Sequence, residues 1–276
     1  MIAALPRVHA VTDDRVVARG DVPALAARMA ERAGPALGVH VRARNLDGGA
    51  FLALARAVGD AVRPRGAWLV VNDRADVARM AGADAVVSGR GGLAVADVRR
   101  LVPGAPVARS VHDAAEIAAA VAEGADFLVA GSVFSTASHA GVAPAGPALV
   151  REAAATGRPV LAIGGVTPER VPELLDAGAW GVAAIRALWD AADPAAAAAA
   201  FLEALPADDR VSVTINGEPR RARRGITVAQ LLADLALDPR TVVVEHNRRV
   251  VRRDALETAT VTEGDRLELV HFVGGG

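Results

Sequence analysis

The sequence predicts an α/β chain: a TIM-type (β/α)8 barrel followed by a small α+β domain of β-grasp, or ubiquitin-like, order. Three observations predict it. From the N-terminus to about residue 205, short β-branched runs alternate with alanine-rich helical patterns. A polar, proline-containing stretch at 206–210 then breaks that rhythm and reads as a linker. Beyond it, residues 211–276 show two strand patterns about an Asn-Gly pair, then a helix, then further strands.

The strand-like runs of the first part are VHAVT (8–12), GVHVRAR (38–44), WLVVND (68–73), DAVVSG (84–89), PVARSV (106–111), DFLVAGSVF (126–134), PVLAIGG (159–165) and WGVAAIRA (180–187). Helix starts between them are signalled by a polar residue followed by proline: Asp21 before Val22-Pro23, Thr167 before Pro168, Asp193 before Pro194. Eight such units within residues 1–205 fit a small barrel. The alternative, an open doubly wound sheet, usually carries a glycine fingerprint after its first strand, where Thr12-Asp13-Asp14 stands here. In the second part, VSVTI (211–215) ends at Asn216-Gly217, a type I′ hairpin signal. Thr227 precedes Val228, Leu231, Leu232 and Leu235 at helical spacing, and VVVEHN (242–247), RRVV (248–251) and RLELVHF (266–272) complete the β-grasp order.

The 276 residues are 52% hydrophobic and 23% charged, which excludes wholesale disorder and a collagen-like fibre. Thirty-one basic and 32 acidic side chains give a net charge of −1 with no long basic block, so nucleic acid is not an expected partner. Cysteine is absent, and lysine does not occur, so every basic side chain counted is arginine. Disulfides, thiolate metal sites, cysteine nucleophiles and Schiff-base lysines are thereby excluded. Pro6 and Arg7 come too early for a secretory apolar segment, and no uninterrupted apolar run reaches membrane-spanning length. A cytoplasmic protein with no membrane partner is expected.

A glycine end can thread a narrow channel, because the backbone carries no side chain there. The segment VVVEHNRRVV and the ending LELVHFVGGG resemble the sulfur carrier protein of thiamine biosynthesis over residues 210–276. The resemblance implies that the carboxylate of Gly276, after Gly275, is adenylated by a separate ATP-using enzyme, converted to a thiocarboxylate, and used by thiazole synthase. That synthase works through a Schiff-base lysine in the family, so it must be another polypeptide.

The segments VHAVTDD, HVRAR, VVNDRADVA, RSVHD, GADFLVAGSVFST, AIGGVTPERV and AGAWGVAAIRA resemble the thiamine-phosphate synthase and thiazole tautomerase superfamily over residues 5–205. Independently of it, Gly164-Gly165 and Ile185-Arg186 close the seventh and eighth strand patterns, so their backbone N–H groups could converge on a phosphate; a Gly-Gly pair could also simply turn the chain. His40, Arg42 and Arg44 alternate with apolar residues, which places them on one strand face. Under the resemblance, Arg42 and Arg44 match an arginine and a lysine that hold pyrophosphate, and Asn72-Asp73 match a pair whose aspartate holds magnesium. Ser110 and Thr136 join Asn72 as substrate-side candidates.

Departures from the synthase pattern are Val87, Arg90 and Gly92, where that family has histidine, glutamine and a second magnesium-binding aspartate. Thr136-Ala137-Ser138-His139 also lacks its lysine. The expectation is therefore a thiazole tautomerase that binds thiazole phosphate without a cofactor, with His40 or His139 moving the proton. Taken alone, a histidine in either place is more often a hydrogen-bonding residue than a catalyst. Ser132 stands where that branch has its histidine. The alternatives are an active synthase using Mg2+ on Asp73, releasing pyrophosphate from a pyrimidine diphosphate and thiazole phosphate, or a non-catalytic thiazole-binding scaffold for the carrier.

Overall fold

The computed structural model describes residues 5–136, 143–205, 210–223, 225–235 and 237–271, in two compact units that divide after Leu205. In the first, β1 (Val8–Val11), β2 (Leu37–Val41), β3 (Trp68–Asn72), β4 (Ala85–Ser88), β5 (Val107–Val111), β6 (Phe127–Ala130), β7 (Val160–Ile163) and β8 (Gly181–Ala184) close into a parallel barrel in chain order. β1 pairs with both β2 and β8.

Each strand is covered on both faces, which is why the runs read as continuously apolar. Val39, Val71, Val86 and Val182 cluster with Met29, Phe51 and Val58 of the surrounding helices. Leu5, Val70, Val87, Ala108, Phe127 and Leu161 form a second apolar cluster inside the barrel. The helix Val22–Ala33 buries Val22, Ala26, Met29, Ala30 and Ala33, one stripe of its surface. The Asp193 carboxylate caps Pro194–Ala204 by accepting the Ala195 N–H at 3.0 Å. At Pro168 the chain makes a short 3-10 turn before the helix Val171–Asp176.

Several strands stop earlier than their sequence runs. β2 ends at Val41 because Thr12 replaces the ladder there: its Oγ1 accepts the Arg42 N–H at 2.8 Å and donates to the Arg42 carbonyl at 2.9 Å. The Asp14 carboxylate then accepts the N–H groups of Arg44 and Asn45 at 2.8 and 2.9 Å. Arg42 and Arg44 thus leave from a loop, and the shared strand face expected for them with His40 does not exist. Likewise Gly164-Gly165 and Ile185 follow the ends of β7 and β8.

The second unit has β9 (Arg210–Ile215), β10 (Glu218–Arg223), the helix Val228–Asp234, β11 (Val242–His246), β12 (Arg249–Val251) and β13 (Arg266–His271). Its sheet order is β10-β9-β13-β11-β12, with β13 parallel to β9 at the centre. Asn216 and Gly217 have φ of 51° and 79°, as the hairpin turn requires. Thr227 and Gln230 cap the helix reciprocally, Thr227 Oγ1 accepting at 3.2 Å and Gln230 Oε1 at 3.1 Å. Val211, Val213, Leu231, Leu232, Val244 and Leu267 form a separate core. Arg210 already belongs to β9, so the expected linker is shorter by that residue, and 206–209 lie outside the described residues. Among the described residues, no helix is long and apolar enough to cross a membrane.

Candidate active site

Loops at the C-terminal ends of parallel strands carry Arg42, Arg44, Asp73, Ser132, Thr136, Gly164, Gly165 and Ile185, whereas His40, Asn72 and Ser110 lie within β2, β3 and β5. After β7, Gly164 and Gly165 adopt φ of 105° and 63°, which side chains other than glycine's rarely tolerate. Their first reason is packing. A Cβ on Gly164 would lie 2.7 Å from Ser132 Cα, and one on Gly165 would lie 2.7 Å from the Ser135 carbonyl oxygen. The same close approach lets Phe134 N–H donate to the Gly164 carbonyl at 2.9 Å, lacing this turn to the loop after β6. The N–H groups of Gly164, Gly165, Ile185 and Arg186 find no backbone acceptor among the described residues. Four unused donors on adjacent loops suit a phosphate.

Arg170, which sequence reasoning missed, holds this turn. Its Nη1 donates to the Gly165 carbonyl at 2.6 Å, and its guanidinium lies 4.4 Å from the centroid of the Phe134 ring. The signal available was its place in the first turn after the Thr167-Pro168 helix start.

On the β2 side, the half-buried Arg42 guanidinium has no hydrogen-bond or ion-pair partner among the described residues. Burial, with Arg44 beside it, lowers its pKa from the ordinary arginine value, and Asp73, Asp14 and Asp13 act in the opposite direction. Arg44 is exposed. Thr136 Oγ1 is buried and unpartnered among the described residues. Ser110 follows Ala108 on the inward face of β5, and Ser132 is half-buried beside Gly164. His139, Gly275 and Gly276 lie outside the described residues.

Asp73 closes β3 with φ of 62°, and its Oδ1 accepts the Gly89 N–H at 2.7 Å. A Cβ at Gly92 would lie 2.4 Å from Ser88 Oγ and 3.3 Å from Asp73 Oδ1, so glycine here brings no second carboxylate beside Asp73. Asp13 and Asp14 are likewise engaged, by the N–H groups of Val16 and of Arg44 and Asn45. No group of three His, Asp or Glu side chains able to hold a metal exists among the described residues. One carboxylate with one oxygen already bonded does not make a site for a hard cation such as Mg2+.

His40 lies within β2, not in a loop at the mouth. It is 1% exposed, held between His9 and Asn72, and burial pushes its pKa well below the ordinary histidine range. His9, the second buried histidine, was not singled out; its place in VHAV mirrors that of His40 in GVHV.

Residues 8–188 match the family model described as thiamine monophosphate synthase, and residues 213–276 match that of the ThiS family. The chain is 44% identical over 157 residues to a thiamine-phosphate synthase of Mycobacterium sp. (strain KMS), covering 56% of this chain and 70% of that one. It is 42% identical over 160 residues to the thiamine-phosphate synthase of Mycobacterium bovis (strain BCG / Pasteur 1173P2), covering 56% and 72%. The barrel superposes on thiamine phosphate pyrophosphorylase from Pyrococcus furiosus with a TM-score of 0.63 at 26% identity, over 72% of this chain and 94% of that one. With the barrel geometry and both matches in hand, the chain belongs to the thiamine monophosphate synthase family and carries a ThiS family domain at its C-terminal end.

Proposed function

We propose that the barrel is a thiamine-phosphate synthase, joining a pyrimidine diphosphate to thiazole phosphate with release of pyrophosphate. The observation that carries this reading is a pair of anion-binding sets at one mouth. Backbone donors at Gly164, Gly165, Ile185 and Arg186 suit a monophosphate, and the unpartnered Arg42, with Arg44, suits a diphosphate. β1 alone separates β8 from β2, so the two sets flank one another.

The chemistry fits what the residues offer. The thiazole nitrogen attacks through its lone pair and forms a C–N bond to the pyrimidine methylene carbon. The C–O bond to the diphosphate breaks, and its electron pair leaves with pyrophosphate. No proton passes to or from the protein, so buried neutral histidines are no obstacle. What the protein must supply is alignment of two anions and positive charge where the leaving group develops negative charge. Arg42 and Arg44 have that role; Thr136 and Ser110 are proposed to line the same ligand. No step is assigned to a metal ion.

A tautomerase is the second reading, favoured by the single carboxylate at Asp73, with glycine at position 92 where the synthase pattern has a second aspartate. It needs a proton carrier, for which Ser132 and His139 remain. The test is to give the purified chain pyrimidine diphosphate with thiazole phosphate, and separately the thiazole carboxylate tautomer. Pyrophosphate should appear, and Arg42→Gln should lower kcat/KM by about 10²-fold or more, as loss of a charge-assisted contact to the leaving group implies. Conversion of the tautomer without pyrophosphate release would replace this reading with the second.

For the C-terminal unit we propose sulfur carriage as a Gly276 thiocarboxylate, with an ATP-using adenylating enzyme and a thiazole synthase as partners. The ThiS match running to Gly276 supports it. Intact mass after incubation with such an enzyme, ATP and a sulfur donor should show one oxygen replaced by sulfur; deletion of Gly275 and Gly276 should abolish the change.

A further inference from the structure

The segment that follows β1 is bonded on both sides to the elements that carry the two anion-binding sets. Towards β2, Thr12 Oγ1 accepts the Arg42 N–H at 2.8 Å and donates to the Arg42 carbonyl at 2.9 Å. Two residues on, Asp14 Oδ1 accepts two N–H groups at once, from Arg44 at 2.8 Å and from Asn45 at 2.9 Å. Towards β8, the buried Trp189 indole donates to the Val11 carbonyl at 2.9 Å, and Arg19 Nη2 donates to the Trp189 carbonyl at 2.7 Å. Arg15 and Arg19 also share the Asp190 carboxylate, with contacts of 2.9 and 3.0 Å. Trp189 and Asp190 lie at the end of the short helix Arg186–Trp189, directly after the Ile185 and Arg186 donors.

Between the end of β2 at Val41 and the helix Gly48–Val62, the chain has neither ladder nor helix to fix its path. The N–H groups of Arg42, Arg44 and Asn45 go to Thr12 and Asp14, side chains 30 and 31 positions earlier. A carboxylate oxygen accepting two such groups forms charge-assisted bonds, stronger than those water would offer. Thr12 is fully buried, whereas Asp14 is half-buried, so Asp14 is the member that can be altered without opening the barrel. Its charge works the other way. Asp14 is one of the acids that act on Arg42, and a negative charge there repels a bound anion. Geometry and charge at Asp14 thus have opposite signs for a diphosphate, which makes them separable.

We propose that Asp14 is a positioning residue: through the Arg44 and Asn45 N–H groups it ties the loop that carries Arg42 and Arg44 to the same segment that Trp189 and Asp190 anchor, and so sets the diphosphate group at a fixed place relative to the phosphate turn after β8. It touches neither substrate. What it supplies is alignment of the two reactants, which a bimolecular displacement needs. The hydrogen bonds stand on their own, and the ligands rest on the synthase reading above.

The experiment compares Asp14→Ala with Asp14→Asn in the full chain, because asparagine keeps an oxygen that accepts both N–H groups and loses only the charge, whereas alanine loses both. Amide hydrogens of Arg44 and Asn45, followed by NMR, should exchange faster in Asp14→Ala and keep their protection in Asp14→Asn. By calorimetry, inorganic pyrophosphate should bind about 3–10-fold more weakly to Asp14→Ala, the scale of one hydrogen bond, and at least as tightly to Asp14→Asn as to the unaltered chain. Thiazole phosphate should stay within about twofold in both. At saturating substrates, kcat should fall by about tenfold in Asp14→Ala and recover in Asp14→Asn. Asparagine no better than alanine, or tighter pyrophosphate binding by both, would overturn the proposal in favour of charge alone. Equal weakening of pyrophosphate and thiazole phosphate by Asp14→Ala would show a merely structural role and refute positioning. If the unaltered chain binds neither ligand, the synthase reading fails and the alignment role with it, while the amide exchange still decides whether Asp14 holds the loop.

Discussion

Burial of His9 sets a pH dependence for the barrel whose sign follows from its direction. The folded state holds this ring with its pKa lowered to about 4, against 6.5 for the free side chain, because burial disfavours the charged form. Between those values the unfolded chain binds a proton that the folded chain refuses, so stability falls as pH falls from 6.5 towards 4 and is fully present above 6.5. By pH 5 the loss through His9 alone is on the order of 2 kcal/mol. His40, shifted in the same direction, adds to it. Urea midpoints measured from pH 7.5 to 4.5 should therefore decline through this window, and His9→Phe should flatten the decline; an equally steep profile in the variant would show that other groups carry the dependence.

Among the turns, two glycines with left-handed φ separate two physical reasons for the residue. Gly217, at φ 79° in the β9–β10 hairpin, has open space where a Cβ would stand, so Gly217→Ala meets only the conformational cost, about 1 kcal/mol. Gly165, at φ 63°, would also drive its Cβ to 2.7 Å from the Ser135 carbonyl and 2.9 Å from Phe134 Cβ. Gly165→Ala should cost roughly 2–4 kcal/mol, from strain and overpacking together, and weaken phosphate binding by moving the donors after β7. Melting of each unit against the unaltered chain checks the ranking. Of these two turns, the sequence announces the first plainly, since Asn216-Gly217 between alternating residues has few other uses. The strands, too, were legible as valine-rich runs, because a parallel barrel covers both faces. Where the runs stop was not, since β2 is ended by a threonine hydroxyl 30 positions earlier in the chain. The site divides similarly. Gly164-Gly165, Arg42 and Asp73 stand out locally, whereas His9, His40 and Asn72 are joined by hydrogen bonds across 31 and 32 positions, and a Cβ at Gly38 would come within 2.6 Å of His9 Nδ1.

Across the whole chain, two separate cores imply two cooperative transitions, and their titrating groups allow each to be recognised. The β-grasp unit has its own buried carboxylate. Burial pushes the Asp265 pKa up, but bonds from Asn247, Thr262 and His246 outweigh it, and the net direction is down from 3.8. A depressed carboxylate contributes stability above its unfolded pKa and loses it as pH falls through the folded value, so this loss begins only below about pH 4. The barrel's histidines act earlier, from pH 6.5 downward. Calorimetry at pH 7 and pH 5 should therefore show one transition, the barrel's, moving down by at least about 4 °C, the shift that about 2 kcal/mol produces in a domain of this size. Asp265 should not displace the other transition over the same interval. A fragment of residues 1–205 should reproduce the moving transition by itself and retain pyrophosphate binding through Arg42, since the barrel core and its candidate diphosphate residues lie within that range. A single transition that shifts as a whole, or a fragment that fails to fold, would mean that the two cores depend on each other for stability.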